Sequence, residues 1–213
     1  MRLFTIAIAL ALRLGATALP ASSDVDWLNI RCPESLKETL PTPTYGYEGG
    51  LFTVCTELIF NAPAIDIYDA LLDFQSYSSF SSFVIDIELP AHINKTPDDV
   101  YIGLEMVFTT KDIFPIFNTT SVEIVTVMDG EDDGGYMLAA WRYDDTLGGK
   151  FSRSEHPNIL VEQGDGTTRY VSYETYYNDP GTLLLVPFRK QLQDGYAQHG
   201  LDLKAYVEGL QQR

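Results

Sequence analysis

The sequence predicts an α+β fold: one curved, seven-stranded antiparallel sheet, two short helices after its first strand, and a long C-terminal helix over a hydrophobic cavity. Three observations carry this expectation. The stretch from Leu51 to Leu89 reads as strand, short helix, second helical turn and strand, with no room for a long linker. Segments of alternating polarity, separated by Gly and Asp clusters, then run as far as Asn178. From Leu185 to Leu210, apolar residues recur at three- and four-residue spacing.

The elements follow in chain order. Arg2, the apolar run Leu3 to Leu12 and the small residues Ala16-Thr17-Ala18 match the plan of a secretory signal peptide over residues 1–18, with cleavage as late as residue 21. An uncleaved anchor needs ~20 apolar residues, and Arg13 ends this run after about ten. Residues 19–50 read as an irregular arm, and residues 51–213 as one domain. Cys32 and Cys55 are the only cysteines. In an oxidising compartment they either bridge the arm to the first strand or remain two separate buried thiols. A bridge closing a loop of this size contributes ~3 kcal/mol in the chain-entropy account. Asn94-Lys95-Thr96 and Asn118-Thr119-Thr120 are glycosylation sequons, which agree with a secreted or secretory-lumen protein.

In the first strand, Phe52, Val54, Thr56, Leu58 and Phe60 share one face, with Thr53, Cys55 and Glu57 on the other, as in a half-buried strand. Pro63 suits a helix start, where its missing N–H costs nothing. Ala64, Ile67, Tyr68 and Leu71 follow at helical spacing, with Asp66, Asp69 and Asp73 opposite. Tyr77, Phe80 and Phe83 lead into a strand over Val84 to Leu89. Further strands are expected over Tyr101 to Thr110, Ser121 to Met128, Tyr136 to Tyr143, His156 to Gln163 and Thr167 to Asn178, with Ile102, Leu104, Met106 and Phe108 on one face of the third.

The closing helix is expected to present Leu185, Phe188, Leu192, Tyr196, His199, Leu203, Tyr206, Val207 and Leu210 as one stripe. Gly195 and Gly200 flank that stripe. Each costs ~1 kcal/mol relative to Ala in a helix interior, so they mark either close packing on the sheet or volume left for a ligand.

The order of these pieces resembles a known superfamily. A strand, Asn61-Ala62-Pro63-Ala64, a helix ending in Asp73-Phe74, aromatics at Tyr77, Phe80 and Phe83, the Asp165 to Glu174 turn and strand, and the C-terminal helix are similar to the START-like proteins. That superfamily includes the polyketide cyclase/dehydrase and lipid-transport type and the birch pollen allergen. The resemblance covers Leu51 to Leu210 and implies a helix-grip fold, here in a secreted member of fungal type. Phe80-Ser81-Ser82 departs from the pattern, since many members carry Trp and a Pro or Asn there. The superfamily holds carriers, cyclases, dehydratases and receptors, so the fold does not set the function.

Charge narrows the partners. With 14 basic and 30 acidic residues, the chain repels phosphate backbones and anionic headgroups. Nucleic acid and stable membrane association are therefore not expected. Three scattered histidines, no clustered cysteines, no phosphate loop and no dinucleotide fingerprint give no expectation of a metal or cofactor. The expected partner is a hydrophobic small molecule, and a monomer is the expected state.

Leu104, Met106, Phe108, Trp141, Tyr173, Leu192, Tyr196 and Leu203 are the candidate cavity residues. His199 on the helical stripe, Tyr143 and Glu174 are the candidate catalytic groups, supplying an imidazole, a phenol and a carboxylate. Each also has a plain structural reading, as a packing histidine or a cross-strand pair. Alternation places Arg142 on the face opposite Trp141 and Tyr143, and lets only one of Tyr173 and Glu174 face inward. His156 reads as a rim residue before Pro157, and His92 as solvated. Two functions follow. One is a secretory carrier or sequestering protein for a lipid, sterol or polyketide-like molecule. The other is a cofactor-independent cyclase, dehydratase or isomerase using the same cavity.

Overall fold

Alternating apolar segments pair into a single antiparallel sheet: β1 (Gly50–Phe60), β2 (Val84–Glu88), β3 (Glu105–Phe114), β4 (Phe117–Asp129), β5 (Met137–Asp144), β6 (Arg153–Glu162) and β7 (Thr168–Tyr177). The structure, a computed structural model, describes residues 25–131, 134–144 and 149–211. The expected signal segment lies outside them. The sheet runs β1-β7-β6-β5-β4-β3-β2, a meander from β2 to β7 with β1 returned to the side of the last strand. Two short helices, α1 (Ala64–Leu72) and α2 (Tyr77–Phe80), join β1 to β2, and α3 (Arg189–Leu210) closes the concave face. This is the helix-grip arrangement that the sequence predicts.

Some boundaries differ for physical reasons. β3 starts at Glu105 because Tyr101 to Gly103 form a turn, with Gly103 at φ +93°. Ile102 is therefore half exposed and does not share the buried face of Leu104, Met106 and Phe108. α3 begins at Arg189, and the preceding Thr182–Phe188, which contains Pro187, is a 3-10 stretch. Leu185 and Phe188 thus reach the core from outside the α-helix, while Leu210 is largely exposed.

From Phe52 to Thr56 the first strand is buried on both faces, contrary to the half-buried expectation, while Glu57 and Ile59 farther along its outer face are exposed. Phe52 and Val54 enter the main core, while Thr53 and Cys55 lie under the N-terminal arm. The arm is tied across the outer face of β1 and β7. Leu40 N–H donates to Thr53 Oγ1 at 3.0 Å, Tyr173 donates to the Pro41 carbonyl at 2.5 Å, and Arg169 donates to the carbonyls of Leu28 and Ile30. A disulfide joins Cys32 to Cys55, with a Cα–Cα distance of 5.5 Å. The arm thereby covers a second core around Trp27, Ile159, Val171 and Tyr173.

β1 is an edge strand, and α3 occupies that edge. Gln193 accepts from Cys55 N–H at 2.9 Å and donates to the Cys55 carbonyl at 2.7 Å, while Lys204 donates to the Ile59 carbonyl. An edge strand with paired main-chain groups offers no template for another chain. The two helix glycines permit this approach. A Cβ on Gly195 would stand 2.3 Å from the Phe83 ring, and one on Gly200 would stand 2.9 Å from Thr56. They serve close packing, and the ligand-volume alternative is not what the structure shows.

Candidate functional site

Strand register builds the site. Glu123 pairs with Tyr143, Tyr143 with Ser154, and Ser154 with Tyr176, so these four side chains form one row across β4, β5, β6 and β7. The adjacent row carries Val125, Trp141 and His156. Glu174 lies two residues before Tyr176 on β7 and shares its face. The first row, with Trp141, His156 and Glu174, lines a cavity of about 340 Å³ between the concave sheet and α3. Phe108, Phe114, Trp141, Phe83, Tyr77 and Leu192 form much of its apolar wall. Phe151 and the strongly exposed Leu184 mark its mouth.

The polar end of the cavity is a hydrogen-bonded network. Tyr176 donates to Glu174 Oε2 at 2.8 Å, and Tyr196, reaching down from α3, donates to the same oxygen. The Tyr196 oxygen lies 3.3 Å from His156 Nδ1, and His156 Nε2 lies 2.8 Å from Ser172 Oγ. With Tyr196 committed to the carboxylate, this chain places the His156 proton on Nδ1 and lets Ser172 donate to Nε2. His199 Nδ1 lies 2.8 Å from Ser81 Oγ, which also accepts from Val84 N–H at 3.0 Å. Ser81 thus links the His199 ring to the start of β2. Ser82 bonds Asp202 through its backbone N–H and its hydroxyl, so the Ser81-Ser82 departure from the resembled pattern anchors α3.

Burial sets the protonation states. It holds the His199 imidazole down at about 4, against a smaller opposing effect of Asp202. Burial, and then His199, holds His156 well below its ordinary value. Both rings are neutral near pH 7. Burial raises Glu123 to about 8, with the charge of Glu174 adding to the effect. Burial also raises Glu174, but Ser154, Tyr196 and Tyr176 hydrogen-bond its charged form and pull it back down. Burial thus pushes both carboxyls toward the protonated form, and the hydrogen bonds to Glu174 make it the more acidic of the two. Tyr176 and Tyr196, pushed up by burial and by Glu174, remain phenols.

The sequence candidates divide cleanly. His199, Tyr143 and Glu174 line the same cavity, together with Phe108, Trp141, Leu192 and Tyr196. Leu104, Met106 and Leu203 lie in the fully buried core and are absent from the cavity wall. Tyr173 is on the other face of β7, under the arm, because alternation gives the inward position to Glu174. Arg142 faces outward, 3.0 Å from Asp144. His156 is not a rim residue: β6 starts at Arg153, so His156 is already inside a central strand and packs on Trp141 and Tyr196. Glu123 was not anticipated. The available signal was its place in β4 on the same side as Val125, which puts a carboxylate on an apolar face. Asn94 and Asn118 are exposed. No group of described residues fits a metal site, and no described helix is long and apolar enough to cross a membrane.

No protein-family model matches the sequence, and no curated protein matches it. By structure, the chain is similar to a hypothetical protein of Helicobacter pylori, at 16% identity over 73% of this chain and 87% of that one, with a TM-score of 0.58. It is also similar to norcoclaurine synthase of Thalictrum flavum in complex with dopamine and hydroxybenzaldehyde, at 16% identity over 74% of this chain and 86% of that one, TM-score 0.53. A START superfamily protein of Mycobacterium smegmatis matches at 15% identity over 74% of this chain and 98% of that one, TM-score 0.52. At these identities the likeness is one of fold, the START-like fold that the sequence resemblance implies.

Proposed function

We propose that the protein binds a compact, mostly apolar small molecule and acts as a carrier or sequestering protein of the secretory pathway. The observation that carries this reading is the cavity of about 340 Å³ walled by aromatic side chains beneath α3. That volume is at the small end of the ~300–1,000 Å³ typical of ligand sites. It favours a polyketide-like or single-ring ligand over a bulky lipid. Affinity would come chiefly from apolar burial, at ~25 cal/mol per Å². Norcoclaurine synthase holding dopamine and hydroxybenzaldehyde within the same fold supports a small aromatic ligand. The Cys32–Cys55 disulfide supports an oxidising compartment, and the exposed Asn94 and Asn118 support glycan attachment there.

The polar end supports a second reading, a cofactor-independent cyclase, dehydratase or isomerase. Glu123 would hold a proton to donate and Glu174 a charge to accept one, with Tyr143 and His199 on the same wall. Binding is tested with the neutral dye N-phenyl-naphthylamine, whose fluorescence rises in apolar surroundings. One dye should bind per chain, and Thr119→Trp, which puts a large ring on the cavity wall that Thr119 lines, should abolish the rise. A wild-type protein that leaves the dye dark contradicts the reading. Turnover of a poly-β-ketone thioester that disappears in Glu174→Gln would favour the enzyme.

A further inference from the structure

One end of the cavity brings two carboxyl groups together with no cation beside them. Glu123 and Glu174 both line it, and Glu123 is only 7% exposed. Among the described residues no lysine or arginine lines the same space. The nearby cations are committed elsewhere: Arg142 to Asp144 at 3.0 Å, Arg153 to Asp179 at 3.0 Å, and Arg189 to the Val186 carbonyl at 3.2 Å. The two cavity histidines, hydrogen-bonded to hydroxyls, give no positive charge either, since burial disfavours the charged form of both rings. Hydroxyl donors from Tyr176 and Tyr196 hold Glu174 in place without neutralising it.

A buried carboxylate without a cation costs several kcal/mol of desolvation that hydroxyl donors offset only in part. A ligand that brings its own cation recovers that cost on binding. The remaining wall suits a cation as well, since an ammonium is attracted to the faces of Trp, Tyr and Phe rings. Trp141, Tyr143 and Tyr77 all line the cavity.

We infer that the cavity selects a ligand carrying a basic amine on an apolar, aromatic-sized body, with the ammonium seated between Glu123 and Glu174 and the body against Trp141 and Phe108. This rests on the proposed binding function and names the chemical class that the site takes. The amine keeps the protons it has in water, so no bond is made or broken.

Calorimetric titration of the full chain with phenylbutylamine and with phenylbutanol, which differ only in the terminal group, tests the inference. The amine should bind about tenfold tighter or more, the scale of one charge-assisted contact. Glu174→Gln should remove that preference while still taking the alcohol, and Glu123→Gln serves as the second variant should the first not fold. Equal affinities, tighter binding of the alcohol, or a preference that survives both substitutions would overturn the amine class and leave the binding function standing. Dye binding without binding of either compound would do the same. Failure of the dye, the amine and the alcohol together would remove the binding function as well.

Discussion

Tyr176 and Glu174, two residues apart on β7, are joined inside the cavity by a hydrogen bond of 2.8 Å from the phenol to Oε2. Tyr196 of α3 donates to the same oxygen. The sheet and its closing helix therefore share one carboxylate, which couples the position of α3 to the charge in the cavity.

Tyr196→Phe should loosen that coupling. Glu174 loses one of its donors and is left less well solvated, at a cost of about 1–3 kcal/mol for a buried charged acceptor. Urea denaturation should show the lower stability, and dye affinity should change much less, because the phenyl ring still walls the cavity.

Glu123→Gln should be more stable than the parent protein at neutral and alkaline pH. The ordinary carboxyl value is 4.5, and the folded chain holds Glu123 at about 8. Between these values the folded state binds the extra proton, so stability falls as pH rises. At about 1.4 kcal/mol per unit the fall is of order 4 kcal/mol across the window. Denaturation series near pH 5 and near pH 8 should show the variant's advantage growing toward the higher pH; a constant difference would contradict the assignment.

His199→Gln should flatten the acid side of the same profile. An unfolded histidine titrates near 6.5, and the folded one at about 4. In that interval the unfolded chain takes the proton, so stability falls as pH drops, by of order 3 kcal/mol in total. His156 acts in the same direction, so the variant should keep part of the acid sensitivity. Gln retains an acceptor for Ser81, which limits the loss of packing.

Gly195→Ala should destabilise despite the better helix propensity of Ala. Its Cβ would stand 2.3 Å from the Phe83 ring, an overpacking that typically costs about 1–3 kcal/mol. Gly209→Ala meets nothing within 4 Å and should be neutral or stabilising by up to ~1 kcal/mol. Thermal melts of the two variants, run side by side, separate close packing from propensity.

The topology was legible because most turns carry a Gly or Asp, although the β3–β4 turn at Pro115-Ile116 carries neither. Trp141 with Tyr143, and Leu192 with Tyr196 and His199, followed from alternation and helical spacing within single elements. What alternation cannot provide is which of two faces a strand turns inward, and that is why Tyr173 was expected beside Glu174 and lies instead under the arm. An irregular arm has no period, so in residues 25–49 only Cys32, through its possible bridge to Cys55, pointed to the outer side of β1. Glu123 and His156 became site residues through cross-strand register, with partners that lie on other strands or on α3. Pro157 disguised His156, since proline in a central strand is rare; here it sits where the pairing of β6 with β7 skips from Glu155 to Asn158.

The central claim is that the space beneath α3 is a ligand site, and native mass spectrometry of the protein purified from its own source tests it most directly. The account predicts a reproducible small-molecule adduct that dissociates on denaturation and is missing from Thr119→Trp prepared in the same way. A bare protein mass from every preparation, with no adduct in parent or variant, would contradict it.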